Sequence, residues 1–519
     1  MAKLCFFVVI LVLIQSDVFA ARILGIFPIG AKSHFQVSGA LMKGLANRGH
    51  EVVVVSHFPL KVPIPNYTDI SIVGTMPTTV NNVPIEEVAT GKVTTNMADL
   101  IKEGVEACET ILGSTEIQAL FKSKERFDLI VTEFFNTDCL LGFVHKFNVP
   151  YIAIGTSVIL PWTNGRFGNP DNPSYMPSQF SASSDRMDFS ERFLNTVYQE
   201  VLKWSYELFL TRPTQATARR FFGETLPPLS ALARNASLLF LNTHFTINKP
   251  RPFVPAIVEV AGIHIGEPQK LPQDLKKFLD EAPHGVIFFT LGSQVRVDSI
   301  STEKRNAFMY AFSNLPQRVI WKWEGGRLPG QPDNIMTAKW MPQLEVLCHP
   351  SVRLFVTHAG LLGTIEAVHC GVPMVTIPLF GDQDHNAECL VSAGVARKIK
   401  YPDINKESLL ATLSDVTNNS TYSENAKRLQ MAFKDRPMPP LDTAIFWTEY
   451  VLRHGGASHM RSAAMDLYWF QYLLLDVIAV LMIVIFITLF VFYKIMCKLW
   501  SMIINVKQCH YQKDNKKNK

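Results

Sequence analysis

The chain has 519 residues, 48% apolar and 18% charged, which is too long for one hydrophobic core and points to two globular domains with hydrophobic accessories. Its net charge of +5 gives no case for a nucleic-acid partner. Seven Lys and one Asp from Lys494 onward supply +6, so everything before them sums to −1.

Taken in chain order, residues 1–20 carry Lys3, the apolar run CFFVVILVLI and a Val18-Phe19-Ala20 end, the pattern of a signal peptide with the mature chain beginning at Ala21. ARILGIF then reads as a strand, PIGAKSH as a loop, FQVSGALMKGLANRG as an amphipathic helix closed by Gly49, and HEVVVVSHF as a second strand. That alternation opens a doubly wound α/β domain over residues 21–265. FDLIVTE and VPYIAIG predict strands ending at Glu133 and Gly155, residues 156–225 are rich in Pro, Ser and aromatics with helical stretches, and ASLLFLNT (236–243) is read as the closing strand. The polar segment GEPQKLPQDLKKF, with two prolines, places a linker at 266–284.

GVIFFTLGS begins a second doubly wound domain over 285–440 in the way the first began, with RVIWKWEGG as a further strand. Within it VRLFVTH is a buried strand, Ala359-Gly360 a tight turn, LLGTIEAVHC a helix stopped by Gly371, and PMVTIPLF the next strand. Ligands of open α/β sheets bind at the carboxyl ends of such strands. Residues 441–472 have helical spacing and are expected to cross back onto the first domain.

The charge-free run Val477–Tyr493 predicts a membrane helix over 473–493, and by the positive-inside rule the basic tail 494–519 is cytosolic and the body lumenal. Lys516 and Lys517, fourth and third from the end, resemble a dilysine retrieval signal of the endoplasmic reticulum. Sequons at Asn66, Asn235, Asn418 and Asn419 suit a lumenal body. Of eight Cys, the five at 108, 139, 348, 370 and 389 would be lumenal, and their scattered spacing suggests neither a zinc site nor a disulfide scaffold.

From Trp340 to Gln383 the W-x-P-Q opening, the T-H-x-G turn, the E-A-x-x-x-G-V-P run and the closing D-Q stand in one register. This stretch resembles the donor-sugar signature of the UDP-glycosyltransferases, the inverting family that includes the UDP-glucuronosyl- and UDP-glucosyltransferases. The resemblance implies the GT-B architecture, two facing Rossmann-like domains, with a UDP-sugar as co-substrate and no other cofactor or resident metal. It assigns Trp340 and Gln343 to uracil, and the diphosphate to His358 with Gly360 and the other backbone N–H groups from Ala359 to Gly363. Glu366 falls to the ribose, Asp382 and Gln383 to the sugar hydroxyls, and Ser293 to a phosphate contact. Where many relatives carry Asn this chain has Leu362, and where others carry Ser it has Gly363, so backbone N–H groups of Gly363 and Thr364 are expected to stand in. The Leu361-Leu362-Gly363 run resembles the invertebrate branch and favours glucose, with glucuronic acid open. The motif Asp382-Gln383-Asp384 also fits a D-x-D metal site, the reading that competes with a sugar-binding loop.

For catalysis the family's His falls on His34, expected at the end of the first βα loop, where a helix N-terminus would keep the imidazole neutral and able to accept a proton. The acid that orients it is Glu133 or, if the loop turns back, Asp138. Phe35, Phe134 and Phe135 flank these groups and suggest a small lipophilic acceptor, as in detoxification or conjugation. Two rivals remain at this point, an inactive membrane-anchored binding protein of the same fold and a transferase acting on lipid or protein acceptors. The resemblance further implies a single-pass type I protein of the endoplasmic reticulum membrane and leaves a homo- or hetero-oligomer open.

Overall fold

In the computed structural model the described residues are 20–89, 97–326 and 328–517, with side chains described to residue 510. The expected signal peptide therefore lies almost wholly outside them, as do the side chains of Lys516 and Lys517. Residues to Arg461 form one compact unit and Ser462 onward another.

The first half of the compact body contains β1 (Arg22–Phe27), β2 (Glu51–Ser56), β3 (Tyr67–Ser71), a short β4 (Val83–Pro84), β5 (Leu129–Glu133), β6 (Tyr151–Gly155), β7 (Leu238–Leu241) and β8 (Ile257–Glu259). Seven of these make a parallel sheet in the order β3-β2-β1-β5-β6-β7-β8. β5 and β6 are buried at every residue, which is why they read as apolar runs, closed by Thr132 and Glu133 in β5 and by Gly155 in β6. β8 was not legible, and its presence moves the closing strand of this sheet beyond 236–243. Its residues, Ile257–Glu259, are too few to show a period.

Around this sheet lie α1 (Lys32–Asn47), α2 (Met97–Gly113) and α3 (Phe189–Ser205). α1 begins three residues earlier than its apolar pattern, so His34 is the third residue of the helix rather than the last of the loop. Gly104 lets α2 approach the chain after β5, because a Cβ there would come within 1.8 Å of the Asn136 carbonyl.

The second half contains β9 (Val286–Thr290), β10 (Val295–Arg296), β11 (Arg318–Lys322), β12 (Ile335–Ala338), β13 (Val352–Thr357), β14 (Met374–Thr376) and β15 (Ala396–Lys398), with α4 (Leu361–Cys370) and α5 (Gln383–Ser392). Its six-stranded parallel sheet runs β12-β11-β9-β13-β14-β15. Gly371, at φ +70°, ends α4 in the left-handed conformation that glycine adopts without a steric penalty. The expected linker is partly helical, over Gln273–Asp280.

Two features tie the halves together. β4, from the first half, pairs in parallel with β10 of the second. Beyond it Ile85 is buried in the second half's core, and Glu86 accepts hydrogen bonds from Ser301 N–H and the Tyr401 hydroxyl. After the second sheet, α6 (Pro440–Arg453) returns to the first half, where Ala444 and Val451 join its core. Gly44 of α1 makes room, since a Cβ there would meet Leu441 at 2.8 Å.

Contrary to the sequence reading, Cys108 pairs with Cys139 and Cys348 with Cys370, with Cα separations of 5.6 and 4.7 Å. Each joins residues on different elements, so sequence spacing carried no sign of it. Cys389 is free and buried.

In the second unit, α7 (Leu475–Lys517) is a single helix running past the expected end at 493. Its segment Leu475–His510 is long and apolar enough to cross a membrane, by length and composition.

Candidate active site

Each sheet has one place where the strand order reverses, between β1 and β5 in the first and between β9 and β13 in the second. Loops on either side of such a switch point diverge and leave a crevice at the carboxyl ends of the strands. A cavity of about 1000 Å³ lies between the halves and is lined from both switch points, by His34, Phe135 and Thr156 on one side and by Ser293, His358 and Asp382 on the other.

His34 Nδ1 lies 2.6 Å from Glu133 Oε1. The Thr156 hydroxyl, at the end of β6, donates to the same carboxylate oxygen at 2.8 Å and lies 3.0 Å from His34 Nδ1. A carboxylate only accepts, so the imidazole proton sits on Nδ1 and Nε2 keeps its lone pair. The His34 side chain is 19% exposed and that of Glu133 1%. Burial works to lower the imidazole pKa, but the charge and hydrogen bond of Glu133, helped by Asp382 across the cleft, outweigh it and the net shift is upward. The expected depression by the helix N-terminus is therefore reversed, because a carboxylate in contact outweighs partial charges spread over a helix turn. Phe135 packs edge-on against His34, with ring centroids 4.8 Å apart.

Asp138 does not reach His34. It forms a buried two-pronged pair with Arg166, at 2.9 and 2.6 Å, and accepts from the Tyr206 hydroxyl at 3.2 Å. Arg166 also lies over the Phe134 ring at 4.5 Å, so this cluster fixes the loop that follows Glu133. The five-residue spacing in the sequence left both acids eligible, and only the path of that loop separates them.

In the second half, Gly292 follows β9 at φ +82° and a Cβ there would meet the His358 ring at 2.4 Å, so the ring lies directly on backbone. Ala359, at φ +64°, holds a left-handed conformation that costs a non-glycine residue about 1 kcal/mol and turns the chain into α4. Gly360 caps that helix, and the N–H groups of its first turn face the cavity side, where Gly360, Leu361, Leu362 and Gly363 all contribute to the lining. Thr364 does not serve as expected. Its N–H already donates to Gly360 O at 3.0 Å, and its side chain is fully buried away from the cavity lining.

Burial, reinforced by the charge of Lys322, pushes the His358 pKa down to about 4, so this ring is neutral at physiological pH. The buried cation beside it is Lys322, whose ammonium donates at 2.7 Å to each of Gly292 O, Glu324 Oε1 and Asn81 Oδ1. Asn81 belongs to the first half, in the segment that leads into β4. The Trp340 ring, half exposed, already carries Lys32 at 3.9 Å, so a base stacking there shares the ring with Lys32 or displaces it.

Gln343 Nε2 donates to Glu366 Oε2 at 2.7 Å, and His264 Nε2 lies 3.4 Å from the other oxygen. Asp382 accepts from Asn386 Nδ2 at 2.9 Å, and burial raises its pKa. Gln383 Oε1 accepts the N–H groups of Leu379 and Phe380, closing the loop after β14. Asp384 points elsewhere, pairing with Lys398 at 2.8 Å outside the cavity lining, so Asp382 and Asp384 do not converge. Among the described residues no group of three His, Cys, Asp or Glu could hold a metal ion.

Sequence reasoning thus named His34, Glu133, Ser293, Trp340, Gln343, His358, Gly360, Gly363, Glu366, Asp382 and Gln383, all at or beside this cavity. It missed Thr156, Lys322, Asn81 and His264. Nothing local marks a lone Thr, Lys, Asn or His, since each is recruited by packing of distant segments.

Two doubly wound parallel sheets sharing one cavity at their switch points, with an anion-suited helix N-terminus on one side and a carboxylate-held imidazole on the other, define a glycosyltransferase of the GT-B architecture. The solved glycotransferase of kitacinnamycin superposes with a TM-score of 0.52 over 83% of this chain and 98% of its own at 18% identity, a likeness of fold alone. The chain belongs to the "UDP-glucoronosyl and UDP-glucosyl transferase" family, whose model matches residues 26–510. It is 42% identical over 492 residues to UDP-glycosyltransferase UGT5 of Dactylopius coccus, covering 92% of each chain, and 42% identical over 466 residues to UDP-glucosyltransferase 2 of the same insect, covering 89% of this chain and 90% of that one. With UDP-glucuronosyltransferase 1A3 of Rattus norvegicus it shares 34% identity over 393 residues, covering 75% of this chain and 72% of the rat protein.

Proposed function

We propose that this UDP-glycosyltransferase moves glucose from UDP-glucose to a hydroxyl of a small lipophilic acceptor, inverting the anomeric centre, with His34 as general base. The observation that carries the reading is the His34–Glu133–Thr156 cluster facing Asp382 across one cavity. Nε2 of His34 takes the proton from the acceptor hydroxyl as that oxygen attacks the anomeric carbon, and Glu133 stabilises the imidazolium that results. The bond to UDP breaks on the opposite face. Its diphosphate is stabilised by the first-turn N–H groups of α4, by Lys322 and by hydrogen bonding from neutral His358 and Ser293, with Trp340 and Gln343 toward uracil and Glu366 toward ribose. Backbone and side-chain N–H and O–H donors fixed around the leaving diphosphate take the place that a divalent ion would otherwise fill. Asp382 and Gln383 present a carboxylate and an amide, which suit neutral sugar hydroxyls better than a sugar carboxylate, and a relative named for glucosyl transfer supports the same choice.

The leader, the apolar helix and the basic tail support a type I protein of the endoplasmic reticulum membrane with its body in the lumen. The two disulfides fit that oxidising compartment. A panel of UDP-sugars with one generic phenol, run with and without a strong chelator and read by UDP release and product mass, tests the reading. Glucoside formation that survives chelation is expected. A glucuronide as the sole product would overturn the donor, and loss on chelation with recovery in Mn²⁺ would overturn the metal-free site.

A further inference from the structure

The segment that follows β8 at the end of the first half is pinned from both sides. Ile263 is buried in the core of the first half, whereas Ala261 is buried in a core of the second and Ile265 packs against that one. The Ala261 carbonyl accepts from Arg436 Nη1 at 2.8 Å. Gly262, at φ +89°, makes a left-handed turn that a side chain would strain, and a Cβ there would stand 3.4 Å from Phe433 and 3.8 Å from Ile365 of α4. The chain thus runs close over α4 at the residue before Glu366. His264 comes next.

The His264 side chain is 5% exposed, lines the cavity, and has no hydrogen-bond partner at either ring nitrogen. A buried imidazole with both nitrogens idle is costly, because each has given up water without a replacement. Its Nε2 lies 3.4 Å from Glu366 Oε1, about 0.5 Å beyond an ordinary N–H···O bond. On the other carboxylate oxygen, Oε2, Gln343 Nε2 already donates at 2.7 Å.

We propose that His264 is a positioning residue for the donor, donating from Nε2 to Glu366 Oε1 so that His264 and Gln343 grip the carboxylate by both oxygens and hold it for the two ribose hydroxyls. This rests on the reading above in which Glu366 meets the ribose. A carboxylate accepts at about four lone-pair sites, two on each oxygen. Gln343 takes one on Oε2 and His264 one on Oε1, which leaves one on each oxygen for a pair of vicinal hydroxyls. The arrangement selects a ribonucleotide, since an analogue without those hydroxyls leaves two acceptor sites of a buried carboxylate unfilled. Because the carboxylate only accepts, the role needs an N–H at this place and not the bulk of the ring. His264 comes from the first half, whereas Glu366 and Gln343 come from the second, so the ribose is read where the two halves meet.

The test measures binding of UDP and of 2′,3′-dideoxy-UDP to the full chain in detergent by calorimetry, in the wild type, His264→Leu and His264→Gln. The wild type should bind UDP at least about ten-fold more tightly than the dideoxy analogue. His264→Leu, which keeps bulk without a donor, should cut that ratio several-fold by weakening UDP alone. His264→Gln, which restores an N–H at similar reach, should keep most of it. The dideoxy analogue reports in each variant that the rest of the site is intact. Equal loss of both nucleotides in His264→Leu would make the residue a packing element and overturn the proposal. So would a ratio in His264→Leu as large as in the wild type, or a His264→Gln no better than His264→Leu. A wild type that binds both nucleotides equally would overturn the ribose role of Glu366 and this inference with it, and a wild type that binds no UDP would sink the functional reading itself.

Discussion

The groups facing the cavity from the second half come mainly from one stretch, Trp340 to Gln383, in which β13, α4 and β14 carry them in sequence order. Those from the first half come from three separate places, residues 34, 133 and 156, joined only because β1, β5 and β6 are neighbours in the sheet. One site is held by local turns and a helix end, the other by contacts across 99 and 122 residues of chain. A change inside the first should weaken one ligand contact, and a change beneath the second should disorganise several at once.

The sharpest contrast lies between the two acids of the first half. Asp138→Asn leaves the buried Arg166 guanidinium without its partner and should cost about 3–5 kcal/mol, a loss read in denaturant unfolding. Wild-type stability with a shifted pH–rate profile would instead place Asp138 in the mechanism. Next in size, His34→Ala should reduce kcat on the order of 10²-fold or more while UDP affinity measured by calorimetry stays within about two-fold. If turnover is undiminished, His34 is not the base.

Asn81 tests whether the second half's site is as local as its sequence suggests. Its side chain reaches from the first half to Lys322, so Asn81→Ala removes a hydrogen bond to a buried charged group worth about 1.5 kcal/mol and should raise KM for the UDP-sugar roughly ten-fold with kcat little changed. No change in KM would mean that Gly292 O and Glu324 hold Lys322 unaided.

The same division explains how much was legible beforehand. Buried parallel strands such as β5 and β9 read as apolar runs, and α4 announced itself by the turn before it and Gly371 after it. Short edge strands such as β8 and β15 have too few residues to show a period, and β4 is a strand only because β10 lies beside it. His34, Glu133 and the Trp340–Gln383 groups stood in patterns that resemble a family. Thr156 and Lys322 stood in none, the disulfides join distant elements, and the choice between Glu133 and Asp138 depended on which way a five-residue loop turns. The protonation of His34 was misjudged for a different reason: Glu133 was named as its partner, but only the 2.6 Å contact shows that this carboxylate outweighs the helix N-terminus.

The central claim is that Glu133 both orients His34 and raises its pKa, and the pH dependence of kcat/KM in the wild type and in Glu133→Gln tests it most directly. A base must be neutral to act, so with the imidazole pKa raised, activity should be present at high pH and fall as pH drops through a value above the ordinary 6.5. Removing the Glu133 charge should lower the maximum and move that acid limb to lower pH. An acid limb that stays in place in Glu133→Gln, at whatever maximal rate, would contradict the account.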